Sequence, residues 1–184
     1  LFLDAYTPSV KWYNETKEPL TIDGLQLNNE GYKKLSLLLA NELFGKEGLV
    51  IIDGDDERLK NLFQPYMREE LLENTCSTQV SDTSERLNEQ YDIQVNPREI
   101  NLFYIEDGLR ERIVEEEGLY RVNGTKMSFT REEILAELDN FPQKFSPNVL
   151  MRPLFQEVIL PNLCYIGGGG ELAYWFQLKD FFNS

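Results

Sequence analysis

The chain has 184 residues, 41% of them hydrophobic and 12% aromatic, which is enough apolar material for one medium-sized domain with a real core. Its net charge of −14 and pI near 4.4 exclude the lysine and arginine surplus that nucleic acid or an anionic membrane surface demands. Histidine is absent, so Ser-His-Asp and Cys-His catalysis, imidazole acid–base work and histidine-ligated zinc are excluded together. No apolar run is long enough to span a bilayer, and Leu1-Phe-Leu-Asp4 lacks an initiator Met and a basic leader, which reads as a cut end. Cys76, in a polar stretch, and Cys164, in an apolar one, form no CxxC pair; reduced thiols in a cytoplasmic protein are the expectation.

The first elements are a short strand at Leu1 to Leu3, an irregular stretch, and a helix over Asn29 to Phe44. Tyr32, Leu35, Leu39 and Leu43 share one face of that helix, and Gly45 stands at its C-terminal cap. Val50-Ile-Ile then reads as a buried strand running into Asp53-Gly-Asp-Asp56, with Asp55 or Asp56 as N-cap of a helix to about Glu73. These carboxylates suit either Mg²⁺ at a strand end or the positive end of the helix dipole, the structural use being favoured. Residues 74 to 98 are rich in Ser, Thr, Asn and Gln and read as a surface excursion, with a short helix over Ser84 to Gln90 as an option.

Ile100 to Ile105 reads as a buried strand, and Arg112 to Val114 with Leu119 to Val122 as a hairpin, followed by an Asn123-Gly124 turn. Asn96, Arg98 and Asn101 around the strand start could hold a carboxylate, with Arg110 and Arg112 as further candidates. Alternatively those arginines pair with Glu111, Glu115 and Glu116. Thr130 and Glu133 form a capping box that opens a helix to about Asn140. Strands alternating with helices give an α/β fold class: a partial Rossmann-like parallel sheet with flanking helices and a small β-hairpin insertion.

The last segment, from Ser146 to Trp175, interleaves core residues with reactive polar groups around four glycines. Val158-Ile-Leu and Leu163 to Ile166 read as a buried strand, Gly167 to Gly170 as a turn permitting positive φ, and Glu171 onward as a helix whose start can hold an anion. Arg152 lies between apolar neighbours and needs an anionic partner; Glu157 is the internal candidate and a ligand carboxylate the functional one.

Two resemblances follow from quoted residues. Asp23-Gly-Leu-Gln-Leu-Asn-Asn-Glu-Gly-Tyr32 resembles the last block of the SGNH (GDSL-like) hydrolases, with Gln26 where that family has its His, so residues 1 to 46 look like that family's C-terminal tail without its chemistry. Gly48 to Asp56, Asn96 to Tyr104, Asp107 to Ile113, Phe145 to Gln156 and Leu160 to Trp175 resemble, in order, the BshC family, the cysteine-adding enzyme of bacillithiol biosynthesis. That second resemblance covers about residues 45 to 184 as the middle of a family member, a fragment of its Rossmann-like core lacking an earlier part and a later coiled coil. Gly169 replaces a proline of the family's glycine run.

The BshC resemblance implies addition of L-cysteine to the amine of glucosaminyl-malate, with an adenine nucleotide (ATP or ADP) linked to the family and no metal. It implies catalytic roles for Glu171 and Arg152. Substrate binding falls to Asn148, Gln156, Asn162, Gly167, Gly168, Gly169, Gly170 and Tyr174, with Asn96 and Arg98 beside them. A half sheet would leave open strand edges, so a homo-oligomer is expected. The competing reading is a non-catalytic chimeric or scaffold fragment, its two parts meeting near residues 41 to 48.

Overall fold

In the computed structural model, residues 28–48 and 50–183 are described. The strand expected at residues 1–3, and Asp23 and Gln26, lie outside them. The chain divides into two compact units, residues 1–53 and 54–184.

In the first unit, α1 spans Asn29–Phe44, and the Asn28 side chain caps it by accepting from the Gly31 amide at 3.0 Å. The helix ends on Gly45, its C-cap as expected, whose amide donates to the Asn41 carbonyl; Gly45 stays right-handed and opens a 3₁₀ turn, Gly45–Glu47, that closes on left-handed Gly48 at φ 80°. Tyr32, Leu39 and Leu43 of the expected apolar face are exposed. The strand expected at Val50-Ile-Ile is absent: these residues pair with no strand among the described residues, and Val50 and Ile52 are exposed. An apolar triplet signals affinity for a core, not the presence of a pairing edge.

The second unit opens with α2, Glu57–Glu73. Its N-cap is Asp56, which accepts from the Arg58 amide and side chain at 2.9 and 3.0 Å; those bonds hold its carboxyl down at about 2. The helix ends on Asn74 in the left-handed conformation, and the same residue starts α3, Thr75–Leu87. This helix replaces the expected surface excursion. Its polar composition masks a buried face of Cys76, Val80, Thr83 and Ser84, in which hydroxyls pack beside apolar atoms because each finds a hydrogen bond. Cys76, placed by its neighbours in a polar setting, is fully buried and its thiol pKa is pushed up by that burial; Cys164 is the exposed one.

The sheet comprises β1 (Leu102–Glu106), β2 (Leu109–Glu116), β3 (Leu119–Val122), β4 (Ser128–Phe129) and β5 (Phe145–Pro147), in the order β4-β3-β2-β1-β5. All four pairings are antiparallel, which corrects the expected parallel sheet, and the hairpin expected as an insertion belongs to the main sheet of the described residues. Connection length explains this. Asp107-Gly108 and Glu117-Gly118 are two-residue links, too short for the crossover that parallel neighbours require. Glu117 and Gly118 both take positive φ, at 55° and 77°, as a tight hairpin turn demands.

Strand β2 gives its first half to β1 and its second half to β3. One face carries Leu102, Tyr104 and Ile113 into the core shared with Phe63 and Met67 of α2 and Ile134 and Leu138 of α4 (Arg131–Asn140). Helix α4, Arg131–Asn140, starts with the expected capping box and ends where the sequence places it. The opposite face brings Phe103, Arg110 and Arg112 to the surface.

The expected strand over Val158 to Ile166 is also absent. Val158 and Ile159 close helix α5, Arg152–Ile159, and Leu163 and Ile166 are 108% and 93% exposed in the link to α6, Gly169–Trp175. Short apolar runs fit helix, strand or linker alike, and Pro153 near the start of α5 favours helix.

Candidate functional site

Helices α5 and α6 bring the key polar groups of the last segment together. Arg152, at the first position of α5, donates from Nη2 to Glu171 Oε1 at 2.6 Å and to Tyr174 Oη at 2.9 Å, and from Nη1 to Gln156 Oε1 at 3.3 Å. Glu171 and Tyr174 lie one turn apart on α6, while Gln156 lies one turn on along α5, so helical spacing aims all three at one guanidinium. Glu171, not Glu157, is therefore the internal partner. Glu157 is engaged by Asn162, whose amide and Nδ2 donate to its two carboxyl oxygens at 3.0 and 2.7 Å.

The ion pair is part-exposed, with Arg152 at 43% and Glu171 at 32%. The Tyr165 hydroxyl and then Arg152 lower the Glu171 pKa below the usual carboxylate value, so the group stays ionised well into acid. Tyr165, absent from the sequence-derived site, stacks on Trp175 with centroids 4.0 Å apart and planes at 9°. Its apolar neighbours disguise it as core. Among the described residues the Arg152 guanidinium contacts Glu171, Tyr174 and Gln156, and it also acts on the Tyr165 hydroxyl, while remaining part-exposed.

The glycines act differently from expectation. None of Gly167, Gly168, Gly169 and Gly170 takes positive φ. Gly168 is the N-cap of α6, and Gly169 and Gly170 form its first residues. At Gly167 a side chain is excluded by space: an added Cβ would stand 2.7 Å from the Tyr165 ring. Glycine is needed there for the close approach that lets Tyr165 reach Glu171.

Asn148, Asn96 and Arg98 belong to a second place, an open groove of about 660 Å³ that also includes Phe103, Arg110 and Arg112. Asn148 is largely structural, accepting from the Leu150 and Met151 amides and donating to Asn101 Oδ1 at 2.8 Å. Asn101, read as a ligand-binding candidate, is fully buried and serves as a hub. It accepts from the Arg98 amide, and its own amide and Nδ2 donate to Glu70 Oε1 at 2.8 and 2.9 Å. Burial raises the pKa of Glu70, against the donors from Asn101 and the Cys76 amide.

The Asp53-Gly-Asp-Asp56 carboxylates are in structural use: Asp53 pairs with Lys33, Asp55 with Lys60 at 3.5 Å, and Asp56 caps α2. Among the described residues no group of three or more Cys, Asp or Glu could hold a metal ion, and no helix is long and apolar enough to cross a membrane.

The described residues thus form a mixed α/β fold on one antiparallel sheet, with a carboxylate–guanidinium–tyrosine cluster against a glycine-started helix. Residues 3–184 match the family described as "Bacillithiol biosynthesis BshC, N-terminal Rossmann-like domain", and the chain belongs to it. A relative from Flavobacterium johnsoniae named "Putative cysteine ligase BshC" is 60% identical over 184 residues, covering 100% of this chain and 35% of the relative. Relatives of the same name from Christiangramia forsetii and Shouchella clausii are 54% and 39% identical, covering 86% and 98% of this chain and 30% and 34% of their own lengths. The chain thus spans only about a third of these relatives.

These matches correct one expectation. Residues 3 to 46 fall within the same family match as the rest, so the SGNH-tail resemblance is not supported. The match lies within the family's N-terminal Rossmann-like domain.

Proposed function

We propose that the full-length protein is the cysteine ligase of bacillithiol biosynthesis, joining the carboxyl group of L-cysteine to the amine of glucosaminyl-malate, and that this domain supplies part of the substrate site. The observation that carries the proposal is the Arg152–Glu171 pair, ordered by Tyr165, Tyr174 and Gln156.

Amide formation from a carboxylate and an amine needs the two held in register, with positive charge for the carboxylate and negative charge for the ammonium. The part-exposed guanidinium of Arg152 suits a substrate carboxylate. Glu171, held ionised, suits an ammonium group, and its lowered pKa makes it a binding group better than a proton acceptor at neutral pH. Gln156 and Tyr174 hold the guanidinium in place, and Asn162, tied to Glu157, borders the linker that leads to the glycines.

Amide formation also expels one carboxyl oxygen and so needs an activated acyl group, which an adenine nucleotide would supply if bound; its phosphates need cations or amide donors. The apolar groove of about 640 Å³ lined by Tyr91, Leu172 and Phe176 offers Asp92 and no cation, so it does not fit a nucleotide's phosphates.

Ligand-dependent thermal unfolding of the full-length protein tests the assignment. Glucosaminyl-malate and L-cysteine should each raise the midpoint, because anything that binds only the native state stabilises it. Substitution Arg152→Ala should abolish the rise from at least one of them, and a full rise in that variant with both would contradict the role.

A further inference from the structure

The strongest unused feature is the groove beside β1 and β2. In a chain of net charge −14, three arginines, Arg98, Arg110 and Arg112, line one open groove of about 660 Å³ with no Asp or Glu among its lining residues. None of the three makes a salt bridge among the described residues, whereas Arg58, Arg68, Arg86, Arg121 and Arg152 all do. The Glu111, Glu115 and Glu116 partners that the sequence offers as the alternative form no salt bridge with them among the described residues. Alternation explains part of this: Glu111 sits opposite Tyr104 on the core-facing side of β2, while Arg110 and Arg112 point to the other face, opposite Ile105 and Phe103.

The groove is also held in shape. The Arg110 guanidinium lies 3.8 Å from the centre of the Phe103 ring, an arrangement that fixes its plane and leaves its N–H edges open. The backbone of Arg98 is clamped at both ends by the buried Asn101 side chain, which accepts from its amide at 3.1 Å and donates to its carbonyl at 2.7 Å. The loop leading to Asn96 is anchored by Gln177, which accepts from the Gln94 and Val95 amides at 3.0 and 3.1 Å and donates to the Val95 carbonyl at 2.7 Å. Asn148 closes one wall, and its carbonyl accepts from the Arg152 amide at 2.9 Å, so the turn that borders the groove also starts the helix carrying Arg152.

We infer that this groove is a binding site for a small, multiply charged oxyanion, gripped by Arg98, Arg110 and Arg112 on an ordered frame. Guanidinium forks match carboxylate and phosphate oxygens equally well, so the shared chemistry is two or more anionic oxygen groups within a few ångströms. The site is separate from the Arg152–Glu171 cluster and does not rest on the function proposed for it.

The test is calorimetric titration of the full-length protein with malate and, separately, with inorganic pyrophosphate at low ionic strength. Binding of malate alone identifies a polycarboxylate site, binding of pyrophosphate alone a phosphate site, and binding of both a general oxyanion site; all three support the inference if the double substitution R110A/R112A weakens binding at least tenfold. Both side chains are exposed, so the fold should persist, and Arg98→Gln provides an independent third arm with a smaller expected loss. The variant Arg131→Ala, on α4 and outside the groove, should bind as the parent does. Absence of binding by either probe at millimolar concentration, or binding that is the same in R110A/R112A as in the parent, overturns the inference.

Discussion

Arg152 owes its position to two helices whose first turns meet. A single substitution nearby separates geometry from charge. Gly167→Ala leaves every titratable group in place but pushes the Tyr165 ring, which an added Cβ would approach to 2.7 Å. The Tyr165 hydroxyl is the main influence lowering the Glu171 pKa. The Glu171 midpoint should therefore rise towards the ordinary carboxylate value in Gly167→Ala, read from the pH titration of its carboxyl carbon by NMR. The sign follows from the lowered native pKa: the Arg152–Glu171 pair is complete above the ordinary value and is lost as pH falls through the native one. An unchanged midpoint in the variant would remove Tyr165 from the site. At this scale the sequence was informative about residue types and less so about partners. Arg152 clearly needed an anion, but nearness in sequence pointed to Glu157; only the packing of α5 and α6 brings Glu171 to it, and Tyr165 looked like one more apolar neighbour.

At the scale of elements, buried Glu70 joins α2 to the start of α3 and to the segment entering β1. Its Oε1 accepts twice from Asn101 and its Oε2 accepts from the Cys76 amide, so it has three N–H donors and no donor role of its own. Glu70→Gln would turn one acceptor into an N–H group facing another N–H. The expected loss of unfolding free energy is about 2–3 kcal/mol, the cost of a buried polar group left badly paired, measured by urea denaturation. A loss below measurement error would show that the hub is dispensable. Local signals located elements well where they act locally. The Asn29–Phe44 and Arg131–Asn140 helices, the Asp56 cap and the capping box follow from side chains within four residues of the ends they define. Helix α3 was hard to read because its buried Ser84 is made tolerable by Gln177, 93 residues away, while Thr83 donates its hydroxyl to the Gln79 carbonyl of the same helix.

For the whole molecule, strand direction was the principal misreading. Alternating helices and strands suggested parallel crossovers, but the links at Asp107-Gly108 and Glu117-Gly118 are two residues long, and hairpins follow from that length. Family membership was legible through five ordered motifs, while its extent to residue 3 was hidden by a local likeness at Asp23 to Tyr32. The motifs proved unequal in kind. Asn96 to Tyr104 and Phe145 to Gln156 supply the Asn101–Asn148 hub and the groove wall as well as site residues, so part of their specificity is architectural.

The measurement that bears most directly on the account is amide formation between L-cysteine and glucosaminyl-malate by the full-length protein, followed by product mass. Arg152→Ala and Glu171→Gln should each lower kcat/KM at least a hundredfold, equivalent to about 2.7 kcal/mol of lost transition-state stabilisation, while the folded fraction stays at the parent level. Turnover in both variants within a few-fold of the parent would contradict the placement of the substrate site at this pair.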